Sequence, residues 1–241
     1  MKKQKIQIIE HESFMEIFGI ENDFFHKMFG KNKFGDDLLK VSTLMNRIDR
    51  ICTNRIADFS NIYPDDHNLP GSGLLRFKGQ VFEIFINAAL VIIGSHTKLG
   101  VYNFKPIPNE EDYGVDGIGY GIDNKPLTIQ IKYRQDYNTE LNQDDLKQFT
   151  WQSVRKYGVD PFTNNNLLLI TSCKGLHFAS AEKVFLGAIR EVNLNDLKNI
   201  IDDNYVFWNN LLDLVDNTII YNLGPKIFNN IKDSPIELLE Y

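Results

Sequence analysis

The second half of the chain alternates short β-type runs with helical stretches, and this alternation restricts the chain to a few fold classes. Runs rich in Val, Ile, Leu and aromatic residues occupy 101–104, 115–120, 127–132 and 167–171. Helical periodicity follows the third run at 144–157 and the fourth run at 180–190. Strands that alternate with helices pack as a sheet with helices on its faces. The sequence therefore predicts an α/β fold with a mixed β-sheet.

The second and third runs are joined by a turn-forming sequence. Residues 121–126 combine Gly, Asp, Asn and Pro, which predicts an antiparallel hairpin. Side chains alternate along a strand, so Gln130 and Lys132 share one face of the third run, opposite two isoleucines. The hairpin would bring Asp116, near the start of the second run, next to both residues.

A long apolar helix is predicted before the strands. Residues 75–93 are dense in Phe, Ile, Val and Ala, and Gly94 offers a C-terminal stop. The most apolar part, 81–93, is shorter than the ~20 residues that a membrane span needs. Its one charged residue is Glu83, and an unpaired carboxylate there would be costly or would take up a proton. Coordination of a metal ion, directly or through water, would remove that cost.

The segments on either side of the predicted core also have helical patterns. Residues 13–59 carry apolar side chains at helical intervals, and the Pro-, Asp-, Asn- and Gly-rich segment 60–73 predicts a linker or long loop. Further helices are predicted at 194–201 and 206–215. Three regions result, an N-terminal helical region with its linker, a core and a C-terminal helical segment, at 1–73, 74–192 and 193–241.

Asp116 and Lys132 have the side chains that phosphodiester hydrolysis requires. A lysine buried near a sheet is unfavourable unless an anion faces it, and a metal-bound phosphate would supply that anion. Carboxylates hold Mg²⁺, which polarises phosphoryl oxygens and lowers the pKa of a bound water. A lysine then orients that water or stabilises the developing negative charge. The sequence thus indicates a metal-dependent hydrolytic site.

Three patterns stand in order along the chain: Gly-x-x-Phe-Glu at 79–83, Gly-x-Asp-Gly-Ile at 114–118 and Gln-x-Lys at 130–132. Together they resemble the PD-(D/E)xK nuclease superfamily, and most closely its Mrr-like restriction endonucleases. The resemblance covers roughly half of the chain, about 74–190, and extends weakly to Leu-Leu-Ile-Thr-Ser at 168–172. It implies a restriction-endonuclease-like core, a mixed β-sheet flanked by helices.

The resemblance implies a catalytic centre of Glu83, Asp116, Gln130 and Lys132. Asp116 and Glu83 would be metal ligands together with the backbone carbonyl of Ile131, and Lys132 would be the catalytic lysine. Most members of the superfamily have Asp or Glu where this chain has Gln130, whereas Mrr-like members share the glutamine. The implied cofactor is Mg²⁺, for which Mn²⁺ would substitute, and the number of metal ions is left open.

Further residues near the site are candidates for nucleic-acid contacts. Tyr133 and Arg134 follow the Gln-x-Lys strand and would reach a phosphate backbone, or else simply continue the strand at the surface. Gln148 lies on the next predicted helix, where nucleases of this type place accessory residues. Trp151 on the same helix is either another accessory residue or part of the core.

Composition and charge narrow the class of protein. The net charge of -6 requires any nucleic-acid contact to come from a local basic surface. The 2 cysteines lie far apart, without zinc-site or disulfide spacing, as is usual in a reducing cytoplasm. No secretion signal and no Gly-x-x-x-x-Gly-Lys-Ser/Thr sequence is present. We therefore expect a cytoplasmic protein that is not membrane-bound and has no ATP-binding motif.

The predicted activity is Mg²⁺-dependent hydrolysis of DNA phosphodiester bonds by a restriction-type endonuclease. Two alternatives are left open: a nuclease of repair or recombination such as a Holliday junction resolvase, and a non-catalytic nucleic-acid-binding module with the same fold. DNA is the expected partner in each case. A homodimer would favour double-strand cleavage, because one active site cuts one strand at a time, but the sequence does not fix the oligomeric state.

Overall fold

The computed structural model describes residues 40–54, 71–107, 114–160, 166–177 and 188–220. They form two compact units: one runs to Ile92 and resumes at Ile201, and the other spans Ile93–Ile200. Within the described residues, the first unit is helical and the second contains the strands. The mixed α/β class is thus as predicted, whereas the region boundaries at 73 and 192 stay predictions. None of the described helices is long and apolar enough to cross a membrane.

The elements follow one another in an order close to the predicted one. In chain order they are α1 (Val41–Asn54), α2 (Ser72–Ile93), β1 (Tyr102–Pro106), β2 (Gly117–Tyr120), β3 (Pro126–Lys132), β4 (Glu140–Leu141), α3 (Gln143–Tyr157), β5 (Leu167–Thr171), β6 (Gly175–Leu176), β7 (Ile189–Val192), α4 (Leu194–Ile201) and α5 (Tyr205–Ile220). The four predicted strands are confirmed, with ends shifted by at most two residues. The helices predicted at 75–93, 144–157, 194–201 and 206–215 are confirmed as α2, α3, α4 and α5. Of the helical stretch predicted at 13–59, α1 is confirmed, and 13–39 and 55–59 lie outside the described residues.

The main sheet of the second unit has five strands in the order β1-β2-β3-β5-β7. The pairs β1–β2 and β2–β3 are antiparallel, whereas the pairs β3–β5 and β5–β7 are parallel. The predicted hairpin of β2 and β3 is confirmed, and its register pairs Gly117 with Ile129 and Tyr120 with Pro126. The backbone N–H of Gly121 donates to the carbonyl of Lys125 at 2.9 Å and closes the turn.

Helix α3 covers one face of this sheet. It begins with a capping box, in which the side chain of Asn142 accepts from the N–H of Asp145 while the Asp145 carboxylate accepts from the N–H of Asn142. The buried side of the helix packs into a core cluster that includes Leu146, Phe149 and the β5 residue Leu169. The helix therefore has a fixed start and a fixed face against the strands.

The helix predicted at 180–190 is wrong at its C-terminal end. Ile189 and Arg190 lie in β7, and residues 178–187 lie outside the described residues. Ile189 pairs with Leu167 of β5 in parallel register. This pairing with a buried strand overrides the local preference, because strand formation depends strongly on the neighbouring strand. The short parallel pair of β4 and β6 was not predicted either.

The first unit is held by an aromatic cluster between α2 and α5. The ring of Phe85 lies 5.9 Å from that of Phe207 and 6.0 Å from that of Trp208, measured between centroids. All three side chains are buried, and the indole N–H of Trp208 donates to the carbonyl of Ile201 at 2.9 Å. Buried aromatic rings contribute large contact areas, so this cluster stabilises the helical unit.

Candidate active site

Asp116 lies directly before β2, at the point where β2 begins to pair with β3. Its backbone N–H donates to the carbonyl of Ile129 at 2.9 Å, and its carbonyl accepts from the N–H of Ile107, also at 2.9 Å. Ile129 belongs to β3 and Ile107 directly follows β1. The backbone of Asp116 is therefore fixed from both sides.

The carboxylate of Asp116 is buried, with 4% of the residue exposed, and it accepts two hydrogen bonds from β3. The side-chain amide Nε2 of Gln130 donates to Oδ2 at 2.7 Å. The backbone N–H of Ile131 donates to the same oxygen. A buried carboxylate needs such donors, because an unsatisfied charge away from water is strongly disfavoured. The structure thus brings Asp116 and Gln130 together.

The face of β3 that carries Gln130 and Lys132 is turned toward α3. Thr128, two residues before Gln130 and on the same face, donates its hydroxyl to that of Ser153 on α3 at 2.7 Å. Gln130 is buried beneath this helix, whereas Lys132 is half-buried at the end of the strand. The polar residues of β3 therefore run from a covered position to an accessible one.

Lys132 ends β3 beside Thr171 of β5. Its carbonyl accepts from the Thr171 hydroxyl at 2.9 Å and from the backbone N–H of Ser172 at 3.1 Å. Within the described part of the chain, its ammonium group forms no ion pair and no side-chain hydrogen bond. The backbone of Lys132 is therefore anchored while its charged group has no protein partner there.

Asp116 and the adjacent residues of β3 carry three oxygen donors of a kind that Mg²⁺ prefers. The N–H and C=O of one residue point to the same edge of a strand, so the Ile131 carbonyl faces the edge at which Asp116 lies. The donors are this carbonyl, the Asp116 carboxylate and the amide oxygen of Gln130. Mg²⁺ takes one or two carboxylates and keeps several waters, so the set fits this ion. Among the described residues, no three His, Cys, Asp or Glu side chains are grouped to hold a metal.

Glu83 lies half-buried on α2, in the first unit. Its neighbours Phe82 and Ile84 are buried, so this one carboxylate interrupts an apolar stretch of helix, as predicted. Its role as a metal ligand stays a prediction. Arg76 and Lys78 are the basic residues close to Glu83 in sequence, and Lys78 pairs with Asp49 of α1 at 2.9 Å rather than with Glu83.

Gln148 of α3 lies beside Gly114, two residues before Asp116. Gly114 has a φ of 90°, in the left-handed region, and a Cβ atom there would lie 3.2 Å from both Gln148 Cγ and the backbone nitrogen of Phe149. Glycine permits this close approach because it lacks a side chain. The exposed amide of Gln148 is thus placed next to the segment that leads into Asp116, while its contact with nucleic acid stays a prediction.

Arg134 forms an ion pair and hydrogen bonds with two residues that the sequence analysis did not predict as its partners. Its guanidinium pairs with Asp145 of α3 at 2.6 Å, and its N–H and carbonyl bond the Ser172 hydroxyl at 2.7 and 3.0 Å. A phosphate contact by Arg134 stays a prediction, and it would have to share the guanidinium with Asp145. Tyr133 is half-buried next to it. Only the folded arrangement reveals Asp145 and Ser172, because no sequence pattern links them to Arg134.

Comparison with known proteins adds no family assignment. No protein-family model matches the chain, and no curated protein matches it. The resemblance to PD-(D/E)xK nucleases therefore rests on the three sequence patterns, and the function that they imply is a proposal.

Proposed function

We propose that this protein is a Mg²⁺-dependent DNA endonuclease with a restriction-endonuclease-like core, and that Asp116, Gln130 and Lys132 form its active site. One observation carries the proposal: the Gln130 amide and the Ile131 N–H hold the buried Asp116 carboxylate, with Lys132 two residues further along the same face. This is the set of side chains that the Gln-x-Lys pattern implies. Mn²⁺ is expected to replace Mg²⁺.

The strand arrangement supports the fold assignment. An antiparallel β1-β2-β3 meander continues into the parallel strands β5 and β7, and α3 connects the two halves across the face that carries Gln130. The predicted core has the same order: hairpin, helix and a further buried strand. Folds of this general class carry many functions, so the chemistry has to be argued from the site.

Each residue has a definite task on a phosphodiester. Asp116, Gln130 and the Ile131 carbonyl would hold the cation, which when bound polarises phosphoryl oxygens and makes water more acidic. Lys132 would contact a non-bridging oxygen and stabilise the negative charge that grows on the phosphorus centre. Burial of Asp116 lowers the local dielectric constant and so strengthens these charge interactions.

A non-catalytic DNA-binding module is the second candidate, and one observation favours it. The Asp116 carboxylate satisfies the N–H of Ile131, which would otherwise be a buried donor without a partner. The carboxylate therefore has a structural use even without a metal. A binding module would bind DNA without turnover. A repair nuclease or junction resolvase would use the same site and differ from a restriction-type endonuclease only in preferring branched DNA.

The deciding experiment measures cleavage of plasmid, linear, branched and modified DNA with Mg²⁺, Mn²⁺ or EDTA. Asp116→Asn and Lys132→Met are compared with Asp123→Asn and Lys125→Met, matched changes at exposed positions in the turn of the same hairpin. We expect metal-dependent cutting that falls about a hundredfold or more in the first two variants and persists in the controls. Folded wild-type protein that binds DNA but cuts none of these substrates would instead support the binding module.

A further inference from the structure

The solvent side of α3 carries a tryptophan that the core does not use. Trp151 is 61% exposed and Val154 44%, whereas Leu146, Phe149 and Ser153 on the opposite side are buried. The alternative that Trp151 is a core residue is therefore wrong. Tryptophan is highly buried on average and enriched at interfaces, so the exposed indole makes this side of α3 a candidate contact surface.

The exposed indole is accompanied by a positive charge. The guanidinium carbon of Arg155 lies 5.7 Å from the centroid of the Trp151 ring, within cation–π distance. In the parts of the chain that the structure describes, no carboxylate lies within ion-pair distance of Arg155. Earlier on the helix, Lys147 is already paired with Asp144 at 2.8 Å, and this hydrogen bond raises the pKa of Lys147. A flat ring beside a free cation complements a base and its phosphate.

This surface starts next to the proposed active site. Gln148, Trp151 and Arg155 recur at intervals of three and four residues and so share one side of α3. Gln148 packs against Gly114, two residues before Asp116. From Gln148 to Arg155 the helix rises about 10 Å, which is the length of about three stacked nucleotides. The three side chains thus mark a track that leads away from Asp116.

We propose that the Gln148–Trp151–Arg155 side of α3 binds an unpaired DNA strand, with a base stacked on Trp151 and a phosphate held by Arg155. The inference rests on the proposed nuclease function and specifies its substrate class. In a closed duplex the faces of the bases are already stacked, so an indole on a helix surface gains a stacking partner only from an unpaired base. The preferred substrates are therefore DNA molecules with overhangs, flaps, gaps or open branches.

A binding experiment in EDTA tests this without turnover. Labelled oligothymidylate and a duplex of equal length are titrated with the full chain, and fluorescence anisotropy and intrinsic tryptophan emission are recorded. The chain has 2 tryptophans, and the other one, Trp208, is 2% exposed, so quenching by the single strand reports on Trp151. We expect oligothymidylate to quench this emission and to bind more tightly than the duplex.

Three variants and a control identify the contacts. Trp151→Ala should weaken oligothymidylate binding about tenfold or more, and Trp151→Phe should retain most of it, because the ring still stacks. Arg155→Ala should weaken binding and reduce the slope of affinity against salt by about one phosphate contact. Tyr205→Ala, which removes a 63% exposed aromatic ring from α5 of the first unit, should leave binding unchanged.

The outcomes separate this inference from the nuclease proposal. If Trp151→Ala loses oligothymidylate binding and the wild type shows no metal-dependent cutting, the results support this inference and contradict the nuclease proposal. Cutting that continues while Trp151→Ala binds single strands like the wild type overturns the inference alone, as does tighter binding to duplex. Tryptophan and arginine also dominate protein interfaces. If the wild type forms an oligomer that Trp151→Ala dissociates while DNA binding stays unchanged, the surface binds a second protein rather than a DNA strand.

Discussion

The carboxylate of Asp116 accepts a hydrogen bond from the backbone N–H of Ile131. Because β2 begins only at Gly117, this carboxylate takes the place of a main-chain acceptor in the sheet. The same carboxylate is the proposed metal ligand. One side chain thus completes the hydrogen bonding of a sheet edge, and in the proposed function it would also hold the cation. The two roles make different predictions for substitutions at this position and around it.

Asp116→Ala should lower the free energy of unfolding by about 1–3 kcal/mol, because it leaves the buried Ile131 N–H without an acceptor. Asp116→Asn keeps an acceptor oxygen, so it should destabilise less, while cleavage should still fall about a hundredfold or more. Urea unfolding of both variants, followed by a cleavage assay, checks this pair. An alanine variant as stable as the wild type would contradict the structural role of the carboxylate.

Gln130→Glu should couple stability to the cation. In EDTA the new carboxylate would replace an amide that donates to Asp116 at 2.7 Å, so repulsion should lower the unfolding free energy by about 1–3 kcal/mol. Mg²⁺ should restore much of this loss, since two carboxylates hold it better than one. Thermal unfolding with and without Mg²⁺ measures the effect. If Mg²⁺ does not change the melting temperature of this variant, the result would count against cation binding at Asp116.

Gly114→Ala should cost more than Gly158→Ala, although both residues have positive φ angles of 90° and 64°. At Gly158, a Cβ atom meets nothing within 4 Å, so only the backbone preference is lost, about 1 kcal/mol. At Gly114, the Cβ also presses on Gln148 and the backbone of Phe149, which should raise the cost to about 2–3 kcal/mol. Urea denaturation compares the two, and equal losses would argue against the close approach of this segment to α3.

Asp49→Asn should destabilise the first unit more than Lys78→Met does. The Lys78 side chain is 3% exposed and pairs with Asp49, which is 38% exposed. Loss of the aspartate leaves a buried ammonium without its partner, at a cost of about 1–3 kcal/mol, whereas methionine keeps the aliphatic stem and leaves a carboxylate that water can reach. Chemical denaturation of both variants tests the asymmetry. A larger loss in Lys78→Met would contradict it.

The parts of the fold that the sequence predicts are those that local rules govern. Turn chemistry at 121–126 and the alternation of side chains place Gln130 and Lys132 on the face beside Asp116, and the structure has this hairpin. In contrast, β7 was mistaken for helix because only its parallel neighbour β5 makes Ile189 part of a strand. A strand that joins a sheet from far along the chain leaves little local signal.

The surroundings of the candidate site escaped prediction for a similar reason. The ion pair of Arg134 with Asp145 depends on where α3 starts relative to β3, and sequence spacing does not reveal this. Helical periodicity likewise put Trp151 on α3 without telling which side of the helix meets solvent. Helix propensity and hydrophobic pattern locate elements, whereas tertiary contacts decide which polar groups face each other.

The hairpin has a further consequence for the order in which the chain folds. Asp116 and Gln130 are 14 residues apart, whereas the bond from Thr171 to Lys132 closes a separation of 39 residues. Hairpins close within about 1–10 μs, and pairings across longer loops are slower because they must overcome a larger loss of chain entropy. We therefore expect the Asp116–Gln130 contact to form in an early, local step, before the parallel half of the sheet has docked.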